Sequence, residues 1–127
     1  MVYTLRTYAR NMTADPDCIF CKIVARKIPA EIVLENDAVI AFRDLTPQAP
    51  THVLVIPRSH YPNAAALAEG EPATAALLFD AAREIAGAEG LDNGYRLVFN
   101  TGPDAHQTVF HVHMHLLGGR AMGWPPG

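Results

Sequence analysis

The two-faced character of the sheet is written in His111-Val112-His113-Met114-His115-Leu116-Leu117. Three histidines alternate with apolar residues. Successive side chains of a β-strand point to opposite faces, so the run predicts a strand with imidazoles on one face and core on the other. Burial of Val112, Met114 and Leu116 fixes the register, because a slip of one residue would drive three rings into the interior. A single strand histidine is ordinarily a surface or boundary residue. Three in alternation, half of the six in the chain, point to metal binding or phosphate chemistry. Imidazole suits both, since it titrates near neutrality and ligates metals as the neutral ring.

Working outward, a polar loop from Thr101 to Thr108 delivers the chain into this strand, and Tyr95 to Asn100 reads as another strand before it. Pro72 opens a long helix to about Ala88, with Leu77, Leu78, Ala81, Ala82 and Ile85 as its apolar stripe. Gly90 and the Asp92-Asn93-Gly94 turn end it. Thr51 to Pro57 is a β-branched strand, followed by the break Arg58 to Asn63 and preceded by a loop from Leu45 to Pro50. Glu31 to Glu35 and Val39 to Arg43 are two strands joined at Asn36-Asp37. Cys18-Ile19-Phe20-Cys21-Lys22-Ile23-Val24 reads as a short helix that stops before Pro29. The expected fold is α+β, a five-stranded antiparallel sheet with one long and one short helix.

A chain of 127 residues, 50% of them hydrophobic, fits one domain with a real core. Residues 1–16 carry no period and are read as an extension, flexible or packed on a partner, which leaves 17–127 as the domain. The net charge of −3 argues against a broad basic surface for long nucleic acid, so an anionic ligand has to be held locally. No apolar run approaches the roughly 18 residues of a membrane span, and residues 1–12 lack the apolar stretch of a signal peptide; a cytoplasmic protein without membrane contact is expected. The two cysteines, Cys18 and Cys21, are too close for an ordinary structural disulfide and read as a redox or metal pair.

These residues resemble the histidine-triad (HIT) superfamily, whose signature is His-φ-His-φ-His-φ-φ with φ apolar. Phe42-Arg43-Asp44, the run from Pro47 to Pro57, Gly94-Tyr95-Arg96, Asn100, Gln107, Gly118-Gly119-Arg120 and Trp124-Pro125-Pro126-Gly127 look like its Hint branch, the purine nucleoside phosphoramidases. The resemblance covers roughly 17–127. It implies hydrolysis at the α-phosphorus of a purine nucleoside 5′-phosphoramidate through a nucleotidyl-histidine, in a homodimer.

Carried onto this chain, His113 is the nucleophile and His52 orients it, with help from backbone groups of the triad strand. His111 and His115 donate to phosphate oxygens, and Asn100, Gln107 and Thr108 complete the pocket. Asp44 accepts from the ribose hydroxyls, although on sequence alone it is equally a turn aspartate. Ile19, Phe20, Ile23, Phe42 and Leu45 form the base pocket, although without the resemblance all five read as ordinary core. Trp124 reaches the leaving-group side of the other subunit's site. Some bacterial members hold zinc with the same Cys-Ile-Phe-Cys sequence and two histidines; the matching set here is Cys18, Cys21, His60 and His111, a Cys₂His₂ structural zinc site. Two buried reduced thiols are the plain alternative, and a zinc-bound His111 could not also donate freely to phosphate.

Three departures stand out. Thr108 replaces the usual serine, His106 replaces a glycine at a position where histidine adopts the left-handed region only with strain, and residues 1–16 have no counterpart. The first two are expected to alter substrate preference more than to abolish activity. A dinucleoside polyphosphate hydrolase and a non-catalytic nucleotide-binding interaction protein are the alternative functions.

Overall fold

The computed structural model describes residues 14–127, so most of the expected N-terminal extension lies outside the described residues. Five strands form one sheet: β1 (Ile32–Glu35), β2 (Val39–Arg43), β3 (Thr51–Pro57), β4 (Tyr95–Phe99) and β5 (Met114–Gly118). Their order is β1-β2-β3-β5-β4, with every neighbour antiparallel. The last strand is inserted between β3 and β4 and is paired on both edges, with Val53 and Leu97 both opposite Leu116. The histidine segment thus ends in the middle of the sheet.

Among the described residues three α-helices accompany the sheet, where two helices were expected: α1 (Ile19–Val24), α2 (Ala64–Gly70) and α3 (Pro72–Ala88). The Cys18 Sγ caps α1 by accepting from the Cys21 amide at 3.2 Å. Helix α2 is capped by Asn63, whose Oδ1 accepts from Ala66 N at 2.9 Å. It escapes sequence reading because Leu67 is its single buried residue; one anchor makes no stripe. Glu71 closes α2 and opens α3, which begins at Pro72 as its ring geometry favours.

Strand alternation sorts the side chains onto two faces. Val39, Ala41, Val53, Val55, Val112, Met114 and Leu116 pack against Leu78, Ala81, Ala82 and Ile85 of α3. On the opposite face Ile40, Phe42, Leu54 and Ile56 pack against Phe20 and Ile23 of α1. The stripe of α3 needs one correction: Leu77 is 42% exposed, and Ala86 joins the buried set in its place. The triad strand also begins late. Residues 111–113 are not in the ladder, because Val112 N donates to Tyr61 O at 2.7 Å and His111 lies against Pro57 O, which peels this segment away from β3. The alternation of faces nevertheless persists, with Val112 only 2% exposed. Strand β4 stops at Phe99, one residue short of the expected Asn100. Among the described residues no helix is long and apolar enough to cross a membrane.

Leu78 is fully buried under β2 and β3, so Leu78→Ala is expected to cost about 2–5 kcal/mol of unfolding free energy in urea denaturation. Leu77→Ala should stay within about 0.5 kcal/mol; equal losses would place the stripe wrongly.

Candidate active site and metal centre

The face opposite α3 carries the chemistry. Residue 113 just before the last strand, 115 and 117 within it, and 52, 54 and 56 of β3 project toward it, which brings His113, His115 and His52 together from segments about 60 residues apart in sequence. The His113 and His115 rings are 5.0 Å apart, centroid to centroid.

Each ring's tautomer follows from its partners. The His113 Nδ1 lies 2.8 Å from the carbonyl oxygen of His111. A carbonyl only accepts, so Nδ1 carries the proton and the Nε2 lone pair is free. His52 accepts the Gln48 amide on Nδ1 at 3.0 Å, so its proton sits on Nε2. That proton faces His115 Nδ1 at 2.9 Å, which puts the His115 proton on Nε2. One chain of hydrogen bonds from a backbone amide therefore leaves His113 with a bare ring nitrogen and His115 with a donor beside it. His52, expected to orient His113, contacts His115 instead; the orienting contact of His113 is the His111 carbonyl.

Burial lowers the pKa of every ring in this set. It takes His115 down to about 4, with the neighbouring His113 and His52 adding to the effect. His113 is also held below its ordinary value by burial, partly offset by its bond to the His111 carbonyl and by Asp44. His52 follows the same direction, again by burial, with Asp44 opposing. All three are neutral at pH 7, the form a nucleophilic imidazole needs.

Asp44 follows the end of β2 at the edge of this group. Its Oδ2 is 3.5 Å from His52 Nε2, and its Oδ1 accepts from the Thr46 amide at 2.7 Å. It is both the turn aspartate and a carboxylate beside the histidines. Asp44, His52 and His115 are close enough to share a cation, but the protonated His52 Nε2 has no lone pair to offer while the Gln48 amide holds the tautomer.

A cavity of about 210 Å³ next to Asp44 contains all five expected base-pocket residues, Ile19, Phe20, Ile23, Phe42 and Leu45, together with Arg43 and Leu54. Leu45 is 97% exposed and forms its rim. Phe20 connects this cavity to the histidines, with its ring edge-on to Phe42 at 5.4 Å and to His113 at 5.1 Å. A larger recess of about 570 Å³, at the turn before β4 and the start of the tail, has Asp92 and Arg120 but no histidine or cysteine in its lining.

The remaining expected residues divide. Gln107 is buried, and both ends of its amide are committed to backbone groups: Oε1 accepts from Gly102 N at 3.0 Å, while Nε2 donates to Val109 O at 3.1 Å and, across to the segment after β3, to Pro62 O at 2.6 Å. It shapes the loop and has little left for a ligand. Thr108 is exposed and lines a recess of about 280 Å³ with Cys18, Ile19 and His60. Asn100 directly follows β4 and is half-buried. His106 does adopt the left-handed conformation, φ 63° and ψ 39°, and its exposed side chain replaces the glycine that would do so without strain. Trp124 is 83% exposed and away from the cavity lining. Gln48 and Pro57, whose backbone groups orient rings, were invisible to sequence reading because any residue supplies an amide or a carbonyl.

Cys18, Cys21, His60 and His111 converge on one point, with all four ligand atoms within 4.8 Å of one another. His111 Nδ1 is 3.4 Å from Cys18 Sγ, 3.5 Å from Cys21 Sγ and 3.2 Å from His60 Nδ1, and Cys21 Sγ is 3.3 Å from His60 Nδ1. A tetrahedron with Zn–N near 2.0 Å and Zn–S near 2.3 Å has edges of roughly 3.3–3.7 Å. The donor set and its spacing fit zinc. His111 Nε2 donates to Pro57 O at 2.9 Å, turning the Nδ1 lone pair toward the thiols, as an outer-shell partner of a metal-bound histidine does. Without a metal, burial pushes the Cys21 thiol up to about 11, a value that a divalent cation overcomes by displacing the proton.

The family described as "HIT domain" matches residues 25–122. A maize "14 kDa zinc-binding protein" is 47% identical over 116 residues, covering 89% of this chain and 90% of that protein. "Adenylylsulfatase HINT1" of Arabidopsis thaliana is 44% identical over 116 residues, covering 90% of this chain and 79% of that protein. The crystal structure of a HIT family hydrolase from Legionella pneumophila superposes with a TM-score of 0.84 at 47% identity, over 87% of this chain and 100% of the other.

The pH dependence of stability follows from His115. In the unfolded chain its imidazole takes up a proton near pH 6.5, whereas in the fold it stays neutral to about pH 4. Between those values the unfolded state binds more protons, so stability falls as pH drops from about 6.5 to about 4. His115→Gln should flatten that slope in urea titrations at successive pH values; an unchanged slope would mean the ring is not buried neutral.

Proposed function

The chain belongs to the HIT domain family, and on that premise we propose that it hydrolyses the P–N bond of purine nucleoside 5′-phosphoramidates through a nucleotide covalently held on His113. The observation that carries the reading is the 2.8 Å bond from His113 Nδ1 to the His111 carbonyl, which leaves Nε2 as an unprotonated nucleophile in a nearly buried ring.

The base enters the apolar cavity around Phe20 and Phe42, and the Asp44 carboxylate accepts from the ribose. His113 Nε2 attacks the α-phosphorus, forming an N–P bond as the P–N bond of the substrate breaks. The departing amine takes its proton from solvent while accepting a hydrogen bond from His115 Nε2, with Thr108 as a second donor at the rim. The positive charge left on the His113 ring is stabilised by the His111 carbonyl and by Asp44. Water then attacks phosphorus and releases its proton to solvent as the N–P bond to His113 breaks, and nucleoside monophosphate leaves with His113 restored.

The name of the Arabidopsis relative favours a second reading, in which the leaving group is sulfate from an adenylyl mixed anhydride. The attack and the intermediate are the same, and only the leaving group differs. A homodimer in the cytoplasm, with Trp124 of one copy at the leaving-group side of the other, belongs to the same proposal.

The structure supports one zinc per chain on Cys18, Cys21, His60 and His111. Bound there it would serve as a structural cross-link, tying α1 to the start of the triad segment.

Two measurements follow. Adenosine 5′-phosphoramidate and adenylylsulfate are each incubated with the protein and AMP release is followed. Turnover of one or both is expected, with His113→Ala at least about a thousandfold slower; turnover that survives the substitution would exclude the mechanism. Metal analysis of protein purified without chelator should find about one zinc per chain and none in Cys21→Ala. A metal-free wild-type protein would leave two reduced thiols in the pocket.

A further inference from the structure

Outside the cavity, one carboxylate is placed behind both site residues that frame the 44–50 loop. Glu89 immediately follows α3, on the helix side of the sheet. Its two oxygens accept from Arg43 Nη1 and Nη2 at 2.9 and 3.0 Å, a forked pair with the geometry that favours arginine over lysine. Its Oε1 also accepts from Thr51 Oγ1 at 3.3 Å. Arg43 ends β2 and Thr51 begins β3. Their neighbours, Asp44 and His52, point through to the opposite face because strand side chains alternate. Asp44 N donates to His52 O at 3.0 Å, so the two site residues are joined by a hydrogen bond where the ladder ends.

We propose that Glu89 is a positioning residue for the nucleotide site, clamping Arg43 and Thr51 on the helix face so that Asp44 and His52 hold their spacing on the other. The inference rests on the nucleotide reading of that site. The clamp is partly sheltered, with side-chain exposures of 33% for Arg43 and 23% for Glu89, so solvent screens it less than an open surface pair. Glu31 adds an outer contact to Arg43 Nε at 3.2 Å but is itself 74% exposed. The forked pair and the threonine bond carry the clamp. Loosening it spreads the ends of the loop and with them the ribose carboxylate, the ring whose tautomer sets that of His115, and the Gln48 amide that fixes the ring.

The test compares wild type, Glu89→Gln, Thr51→Val and a core control, Ile85→Val, as full-length protein. AMP affinity is measured by calorimetry, KM and kcat with adenosine 5′-phosphoramidate, and amide hydrogen exchange at Asp44 and Gln48. Glu89→Gln is expected to weaken AMP binding and raise KM by about tenfold, to lower kcat by a smaller factor, and to speed exchange at both amides. Thr51→Val should move the same quantities less, and it decides the matter if Glu89→Gln does not fold. Ile85→Val should lower stability and leave KM and AMP affinity alone. Wild type that binds AMP while Glu89→Gln binds equally well, or changes no more than the core control, overturns the clamp and leaves the nucleotide reading standing. Wild type that binds no AMP overturns the nucleotide reading itself, and the clamp's role with it.

Discussion

A neutral imidazole has one nitrogen that donates and one that accepts, and the chemistry of this molecule depends on backbone groups deciding which is which. The His111 carbonyl takes the Nδ1 proton of His113, the Gln48 amide occupies Nδ1 of His52, and the Pro57 carbonyl takes the Nε2 proton of His111. Backbone positions are set by the sheet and the loops anchored to it, so the rings inherit the rigidity of the ladder. Burial keeps them uncharged, taking His115 down to about 4, and a charged His52 or His115 would lose the ring acceptor on which the bonds from Gln48 and His52 rely. His111 joins two systems, since its side chain faces the cysteines while its carbonyl holds His113.

The sheet separates support from chemistry. On one side, α3 covers aliphatic residues of β2, β3 and the last strand. On the other, Phe20 and Ile23 cover β2 and β3, and Phe20 reaches from the base cavity to His113. Helix α1 is only six residues long, too short to be stable alone. Its packing on the sheet, its cysteine cap and the convergence of Cys18 and Cys21 on His60 and His111 hold it in place.

Much of this was legible in the chain. Alternation in His111–Leu117 predicted the two faces, the β-branched run marked β3 at its observed bounds, and the Cys-x-x-Cys pair with two histidines converges in space. What escaped reading has physical causes. Helix α2 has a single buried anchor. The departure of residues 111–113 from the ladder depends on the Tyr61 and Pro57 carbonyls, which no side-chain pattern announces. Gln107 matched a ligand-binding position, yet its three loop contacts show a structural task. The resemblance pairs His52 with His113, whereas its ring lies against His115: motif position shows that two histidines share a site, and strand register decides which ones touch. The alignment of His52 opposite Leu117 and of Leu54 opposite His115 leaves His52 nearest His115.

The central claim is that backbone contacts set the tautomers before any ligand arrives. Long-range nitrogen-15 correlation spectra of the imidazoles at neutral pH test it directly. The structure predicts His113 with its proton on Nδ1 and His52, His111 and His115 with theirs on Nε2, all four rings neutral. A His113 protonated on Nε2, or charged at neutral pH, would contradict the account, because the nitrogen assigned to attack phosphorus would have no lone pair to use.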